Sequence, residues 1–247
     1  MSMNTRELVL EVLLEAEKSK TPEGRLIKAV LDKYDYETAV EKAFFKRMAE
    51  GTIERQITLD YVLDIFSRTP AHKMKPLIRC LLRMSAYQIL YMDGVPDAAA
   101  CNEAVKLAKK HGFASLSGFV NGVLRSLSRK KDQLAWPIKQ DAVKRLSVLY
   151  SVPVWLVEKW LADYGAERTE SILQAAQKER PVTLRMKEGM EPKELSGTLE
   201  AIERTGVKVR LHPLLGYAYE IYGGRSVASL PGYEEGLYFV QDVSSML

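Results

Sequence analysis

Residues 76–92 have the sequence PLIRCLLRMSAYQILYM, which predicts one long and strongly apolar helix. Pro76 suits the first turn of that helix, where a missing N–H costs nothing. Because a helix that is apolar on most sides must be buried, we expect it at the centre of a helical bundle. Apolar residues recur at helical spacing from residue 5 to about residue 130, which predicts the helices that surround it.

After residue 180 the pattern changes to short alternating segments. Residues 182–186 predict a strand, and residues 191–205 predict a helix that Gly206 ends in the left-handed conformation. Two further strands are predicted at residues 207–211 and 217–222. The order strand, helix, strand, strand predicts a small α/β unit.

The sequence from Gly236 onwards, GLYFVQDVSSML, predicts a strand that runs into a helix. We expect a short buried strand at residues 237–240, with Asp242 or Ser244 as the cap of the following helix. A strand followed at once by a capped helix usually belongs to a larger α/β unit. We therefore expect these 247 residues to be the front part of a longer protein.

The composition excludes several classes of protein. With 47% hydrophobic and 28% charged residues, the chain is globular rather than disordered or fibrous. No apolar run approaches the roughly 20 residues that a membrane-spanning helix needs, so we expect no membrane partner. The two cysteines, Cys80 and Cys101, lack the spacing of a metal site, and we expect no bound metal and a reducing cytoplasm.

Lysine and arginine collect in two consecutive predicted helices, although the net charge of the chain is only +4. Their spacing places them on shared helix faces. They are Lys106, Lys109 and Lys110 in the first helix and Arg125, Arg129, Lys130 and Lys131 in the second. Two interpretations stay open: the helices form one surface that attracts phosphates, or the charges only offset helix dipoles at solvated C-termini.

Gly122 is unusual because it falls in the middle of a predicted helix, where glycine costs about 1 kcal/mol relative to alanine. We expect it to permit a close approach between helices rather than to form a binding site. Cys80 lies in the apolar segment and Cys101 lies among alanines. Because a reactive thiol needs an electropositive and partly exposed setting, we expect both to be buried structural residues.

Several segments match known families. The helical part resembles the NusB family at residues 81–91 (LLRMSAYQILY), 95–96 (VP), 102–105 (NEAV) and 119–125 (FVNGVLR). Later segments are similar to ribosomal RNA cytosine-C5 methyltransferases of the RsmB (Sun, Fmu) type, at residues 151–160 (SVPVWLVEKW), 180–185 (RPVTLR) and 240–245 (VQDVSS). Together they cover nearly the whole chain, in the order found in that family.

The resemblance implies an α+β fold class. It consists of an N-terminal all-α NusB-like helical bundle, a helical connector and a small α/β subdomain that would precede a Rossmann-like methyltransferase core. We expect these parts at residues 1–133, 134–179, 180–235 and 236–247, the last being the start of a truncated core. The resemblance also implies small-subunit (16S) ribosomal RNA as the partner, no DNA and a cytoplasmic location.

The family's chemistry implies what this chain lacks. One cysteine thiolate attacks C6 of cytosine, so that C5 becomes nucleophilic toward the methyl group of S-adenosylmethionine, and a second cysteine assists release. In the family these cysteines and the Gly-rich cofactor loop follow the segment that matches Gln241 and Asp242. We therefore expect S-adenosylmethionine in the full-length protein, but no catalytic or cofactor-binding residue and no activity in this chain alone. Cys80 and Cys101 are not the catalytic pair.

The resemblance adds Arg185 to the seven helix cations as an RNA-binding residue, in the subdomain that would help to place RNA. The family has asparagine at the position of Lys187, so any hydrogen bond from that asparagine is in doubt, whereas a phosphate contact from the lysine stays open. Two alternatives remain: a non-enzymatic antitermination-like RNA-binding factor, and a helical scaffold that binds only protein. The α/β segment argues against the antitermination factor, which has no need for it.

Overall fold

A computed structural model describes residues 4–19, 21–33, 39–137, 141–178, 181–223 and 227–246. The chain divides into two units, Met1–Ala176 and Gln177–Leu247. Arg180, the first residue of the predicted α/β subdomain, and Leu247 lie outside the described residues. The division into four parts remains a prediction.

All regular secondary-structure elements described in the first unit are helices. Its helices are α1 (Thr5–Lys18), α2 (Glu23–Lys33), α3 (Ala39–Glu54), α4 (Gln56–Phe66), α5 (Pro76–Tyr91), α6 (Asp97–Lys110), α7 (Ser117–Lys130), α8 (Ala142–Tyr150) and α9 (Val154–Ala176). The backbone of α9 breaks at Gly165, whose φ of 75° is left-handed. Helix α8 and the two halves of α9 correspond to the predicted connector helices.

Helix α5 lies at the centre of the bundle, as the apolar segment predicts. It begins at Pro76 and packs against α1, α3, α4, α6 and α7. Every residue from Cys80 to Ile89 is buried. Because burial of one leucine, isoleucine or methionine side chain contributes about 1.5–3 kcal/mol, this helix holds the core together. The predicted central position is confirmed.

Helix α8 is attached to the bundle through α4. Thr58 donates from Oγ1 to the carbonyl of Val148 at 2.6 Å, and Ile57 donates from its backbone N–H to Oγ of Ser151 at 3.0 Å. Leu146, Val157 and Leu173 form a small core of their own between α8 and α9. Bundle and connector helices thus share hydrogen bonds within one unit.

The second unit is an antiparallel sheet with one helix. Its elements are β1 (Val182–Met186), α10 (Pro192–Arg204), β2 (Lys208–Leu211), β3 (Ala218–Tyr222) and β4 (Tyr238–Val240), and the strand order is β2-β3-β1-β4. Ile202 of α10 packs with Leu184 and Tyr238 against one face of the sheet. Gly206 follows the helix with φ 86°, so its predicted left-handed conformation is confirmed.

Strand β4 differs from its prediction as a buried strand. Tyr238 is 1% exposed, but Phe239 and Val240 are 56% and 53% exposed. Phe239 is paired with Arg185 on the face that α10 does not cover, and Val240 is the last residue of β4, an edge strand whose partner is β1. After it, Asp242 accepts from the N–H of Ser244 at 2.9 Å and caps a short 3₁₀ turn at Val243–Ser245, which selects Asp242 from the two predicted caps.

Candidate nucleic-acid interface

Helices α6 and α7 pack side by side and leave an open groove of about 460 Å³ between them. The groove lies between two segments of the helical part. Residues 102–110 contain three of the predicted cations, and residues 119–125 resemble the NusB family. Apolar atoms form most of its exposed wall. Five of the seven lining residues carry polar side chains, namely Asn102, Lys106, Ser117, Asn121 and Arg125, and the other two are Val105 and Gly118. Two of the predicted cations therefore meet in one concave site.

Helical spacing explains why these side chains share the groove. Asn102 and Lys106 are four residues apart on α6, as are Asn121 and Arg125 on α7, so each pair lies on one helix face. The opposite faces enter the core through Ala104 and Leu107 of α6 and through Val120, Val123, Leu124 and Leu127 of α7. Burial of those apolar faces presents the polar residues to solvent.

The two groove cations have different partners. Lys106 is 73% exposed and lies 2.7 Å from Oε1 of Glu103. That hydrogen bond lowers the pKa of the Glu103 carboxyl, so the carboxylate competes with any anion for the lysine. Arg125 donates from Nε to Oδ1 of Asn121 at 2.9 Å, and within the described ranges it has no ion-pair partner. Arg125 is therefore the cation in the groove whose charge no carboxylate offsets.

The other predicted cations lie at opposite ends of the helix pair. Lys131 contacts Asp97, at the start of α6, so α7 runs antiparallel to α6. Helix α6 has 14 residues, which separates Lys110 at its end from Lys131 by about 20 Å. The predicted helix cations are thus spread along the pair, with Lys106 and Arg125 between the two ends.

Two of the cations at the helix ends form ion pairs. Lys110 lies 2.6 Å from Oε2 of Glu7 in α1, and Lys131 lies 3.0 Å from Oδ2 of Asp97. Three others are exposed and have no ion-pair partner in the part of the chain that the structure describes, namely Lys109, Arg129 and Lys130. Sequence reasoning could not find the partner of Lys110, because Glu7 is 103 residues away.

Gly122 does not permit a close helix approach, and that prediction is wrong. A Cβ at Gly122 would meet no atom within 4 Å, and the same holds for Gly118 on the wall of the groove. The reason is that Gly122 lies on the exposed side of α7 rather than against α6. The glycine that does allow a close approach is Gly51 in α3, where a Cβ would overlap the ring of Tyr87 in α5.

Both thiols are buried, as predicted. Cys80 is 1% exposed and Cys101 is 2% exposed. Burial raises the pKa of the Cys80 thiol to about 12 and also raises the pKa of Cys101. Neither sulfur is a thiolate near neutral pH, so neither serves as a nucleophile. Among the described residues, no group of three or more histidine, cysteine, aspartate or glutamate side chains is placed to hold a metal ion.

Sequence reasoning missed an ion-pair network on one side of α5. Arg83 is 8% exposed and donates from Nε and Nη2 to the Asp60 carboxylate at 2.6 and 2.7 Å, and from Nη1 to Glu17 at 2.7 Å. Arg79 also binds Glu17 through two hydrogen bonds. The signal was present as two arginines four residues apart in an apolar segment. Carboxylates pair with these guanidinium groups, so the network joins α1, α4 and α5. Glu17, Arg79 and Arg83 also line an open cavity of about 390 Å³.

Arg185 lies in the second unit, on β1. Its Nη1 donates to Oε1 of Gln241 at 3.4 Å, and its guanidinium carbon lies 5.9 Å from the centre of the Tyr217 ring. Lys187, next to the strand, is exposed. Gln241 in turn donates from Nε2 to the carbonyl of Ser245 at 2.9 Å. The predicted cation is therefore held in place by an amide and an aromatic ring.

No helix in the described ranges combines the length and apolar character that crossing a membrane requires. Two family models match the chain. The NusB family model matches residues 3–129, and a model described as the ferredoxin-like domain of RsmF/B-like methyltransferases matches residues 152–228. The second match includes the predicted connector helix α9 and the strands β1 to β3.

Curated relatives align along the whole chain. A protein named probable ribosomal RNA small subunit methyltransferase B from Bacillus subtilis is 32% identical over 99% of this chain and 53% of its own length. A protein of the same name from Synechocystis is 28% identical over 98% of this chain and 54% of its own length. The chain thus spans about half the length of these relatives.

One solved structure shares the fold over nearly the full chain. The crystal structure of PH0851 superposes with a TM-score of 0.65 at 18% identity, covering 99% of this chain and 54% of that one. At this identity the similarity concerns the fold alone. The family models identify the chain as a member of the NusB family, and in this chain the NusB match is followed by the match to an RsmF/B-like ferredoxin-like domain.

Proposed function

We propose that this chain is the RNA-recognising N-terminal portion of an S-adenosylmethionine-dependent methyltransferase that modifies C5 of a cytosine in small-subunit ribosomal RNA. The observation that carries the proposal is the order of two matches in one chain, a NusB family domain followed by an RsmF/RsmB-type ferredoxin-like domain. Relatives named small subunit methyltransferase B align with the chain from end to end, which supports the same substrate class.

In this proposal the groove between α6 and α7 holds the RNA backbone. Arg125 presents a charge that no described carboxylate offsets, and Lys106 adds a second charge once a phosphate displaces Glu103. Binding phosphates with such side chains releases counterions from the RNA, which favours association at low salt. Asn102 and Asn121 supply amides of the kind that bind phosphate and sugar oxygens.

S-adenosylmethionine supplies the methyl group in this class of reaction, and we propose that the site for it lies outside this chain. The two cysteines are buried, and the high pKa of Cys80 excludes a thiolate there near neutral pH. Both belong to the core helices α5 and α6. We therefore propose that the chain by itself binds ribosomal RNA in the cytoplasm, without DNA as a partner, and transfers no methyl group.

An antitermination-like factor is the second candidate, because the NusB family match alone is compatible with it. The match at residues 152–228 counts against it, since this domain type is described for methyltransferases. A factor that only pairs with protein would not bind ribosomal RNA by itself. The two candidates and the protein-only scaffold therefore differ in measurable ways.

The test combines binding and chemistry. The purified chain is mixed with unmodified small-subunit ribosomal RNA and labelled S-adenosylmethionine, with duplex DNA of equal length as a competitor. We expect RNA binding that weakens as salt is added, weaker competition by DNA, and no methyl incorporation above a sample without protein. Methyl incorporation would contradict the proposed inactivity, and an absence of RNA binding would contradict the recognition role.

A further inference from the structure

Helix α10 covers one face of the sheet in the second unit. The other face, which we call the open face, carries exposed residues together with Ala218, which is buried opposite Arg185. Alternation along β1 sends Leu184 and Met186 into the core beneath α10, and it sends Thr183 and Arg185 to the other side. The register places Phe239 of β4 directly opposite Arg185. Residues that face each other in an antiparallel pair have Cβ atoms about 5 Å apart, so Phe239 and Arg185 are neighbours on the open face.

Arg185 is the centre of a defined group on that face, which we call the Arg185 cluster: Arg185, Tyr217, Phe239 and Gln241. The Tyr217 ring lies 5.9 Å from the guanidinium carbon, and the Gln241 amide oxygen accepts from Nη1 at 3.4 Å. Gln241 is itself fixed by its bond to Ser245. The guanidinium therefore lies near one aromatic ring and a positioned amide, and Phe239 is the neighbour of Arg185 across the strand pair.

Both rings of the cluster are open to solvent. Phe239 is 56% exposed and Tyr217 is 45% exposed. A single exposed aromatic ring needs no explanation, but two rings beside an arginine form a surface with both stacking capacity and charge. Within the described residues Arg185 has no ion-pair partner, so its charge is available to a ligand.

The rest of the open face is also cationic. Lys208 and Arg210 of β2 pair in register with Tyr222 and Glu220 of β3 and are exposed. Glu220 accepts a hydrogen bond from the Tyr222 hydroxyl at 2.8 Å. The cations Arg185, Lys208 and Arg210 outnumber the carboxylate of Glu220 on this face, so its net positive charge favours a polyanion as the ligand.

We propose that the Arg185 cluster binds unpaired bases of single-stranded RNA, stacked on Phe239 and Tyr217, with Arg185 contacting a phosphate of the same strand. This site deepens the proposed function and rests on it. Aromatic side chains on an open four-stranded sheet are suited to splayed bases, because every base has a flat face to stack. Gln241 is a positioning residue that orients Arg185. Bases inside a duplex are already stacked and paired, so the site discriminates against double-stranded RNA.

The test uses the whole chain and a short single-stranded RNA that carries the fluorescent base 2-aminopurine, with a duplex of the same sequence for comparison. Stacking on an aromatic ring quenches this base, so we expect quenching with the single strand and not with the duplex. Phe239→Ala and Tyr217→Ala are each expected to weaken single-strand binding by about 5- to 150-fold and to reduce the quenching. Phe239→Tyr is expected to retain both, because the ring remains.

Two control variants show whether binding depends on these particular rings and this particular arginine, or on any exposed ring and any exposed arginine of the unit. Tyr233→Ala removes another exposed ring of the same unit, 41% exposed, and is expected to leave binding and quenching unchanged. Arg204→Ala removes an exposed arginine from α10, the helix that packs on the other face of the sheet. It is the control for Arg185→Ala, which is expected to weaken binding. Circular dichroism establishes that each variant is folded.

The outcomes distinguish this site from the proposed function. If the chain binds RNA with steep salt dependence, but Phe239→Ala matches Tyr233→Ala and the base is not quenched, then the sheet site is wrong while RNA recognition by the helices stands. The open face would in that case belong to a protein contact. If the chain binds neither single-stranded nor duplex RNA, the sheet site and the proposed function both fail.

Discussion

The ammonium of Lys131 lies 3.0 Å from Oδ2 of Asp97, so an ion pair joins the end of α7 to the start of α6. Ser128 donates to the same carboxylate oxygen at 2.8 Å. Together these contacts hold the two helices antiparallel. The cations at the C-terminal end of α6 therefore lie far from those at the C-terminal end of α7. The groove that contains Lys106 and Arg125 lies between those ends.

Lys130→Ala is expected to weaken RNA binding more than Lys131→Ala. Lys130 is exposed without an ion-pair partner among the described residues, whereas Lys131 must leave Asp97 before it can bind a phosphate. Loss of one phosphate contact reduces the slope of log affinity against log salt by about 0.7–0.9. Titrations of RNA at several salt concentrations measure the slope for each variant. Equal slopes for the two variants would show that Asp97 does not compete with RNA.

Glu17→Gln is expected to lower the free energy of unfolding near pH 7 and to flatten its dependence on pH in acid. Desolvation by itself raises the pKa of the Glu17 carboxyl, but the hydrogen bond from Arg79 and the charges of Arg79 and Arg83 outweigh it and lower the pKa below its ordinary 4.5. A lowered pKa means that the carboxylate stabilises the fold above the unfolded-state pKa. That stabilisation is lost as the pH falls through the folded-state pKa.

Urea unfolding of both proteins near pH 7 and below pH 4 measures this difference. Glu15→Gln, on the exposed side of the same helix, is the control and is expected to follow the unsubstituted chain. A Glu17→Gln profile as steep in acid as that of the unsubstituted chain would contradict the contribution assigned to this ion-pair network.

Gly122→Ala is expected to stabilise the chain by up to about 1 kcal/mol, because alanine favours the helix and the added methyl group meets no neighbour. Gly51→Ala is the matched comparison in another helix and is expected to destabilise by about 1–3 kcal/mol, since its methyl group would overlap Tyr87. Thermal unfolding of the two variants measures both signs. Destabilisation by Gly122→Ala equal to that of Gly51→Ala would place Gly122 in a packed contact after all.

The elements that sequence predicted correctly are those determined by local pattern. The apolar run of α5 and the alternation of β1 each define one element without reference to the rest of the chain. Long-range contacts were not predictable in the same way. Glu7 pairs with Lys110 although 103 residues of sequence separate them, and Gly51 is required only because Tyr87 lies on a neighbouring helix.

The candidate site illustrates the same limit. The sequence identified Lys106 and Arg125 as cations of two consecutive helices, but only the antiparallel packing of α6 and α7 places both in one groove. It also gave no sign that β4 pairs with β1 in the register that places Phe239 beside Arg185, on the face away from α10. The spacing of residues along the sequence predicts which charged side chains share a helix face. Ion-pair partners and grooves depend on how the helices pack, which the spacing does not reveal.

The control for Lys106 and Arg125 of the groove is a pair of lysines on other helices, each with the same local setting as Lys106. Lys46 is 55% exposed and pairs with Glu50 on α3, and Lys159 is 62% exposed and pairs with Asp163 on α9. Each therefore resembles Lys106 in exposure and in having a carboxylate partner on its own helix. Reversing both changes the net charge of the chain by the same amount as reversing the two groove cations.

The most direct test of RNA recognition by the groove is the salt dependence of ribosomal RNA affinity for Lys106→Glu combined with Arg125→Glu. With two phosphate contacts removed, we expect the slope of log affinity against log salt to fall by about 1.4–1.8. Unfolding midpoints should stay unchanged, and Lys46→Glu combined with Lys159→Glu should keep the original slope. Equal slopes and affinities for the two double variants would contradict the assignment of the groove as the RNA-binding site.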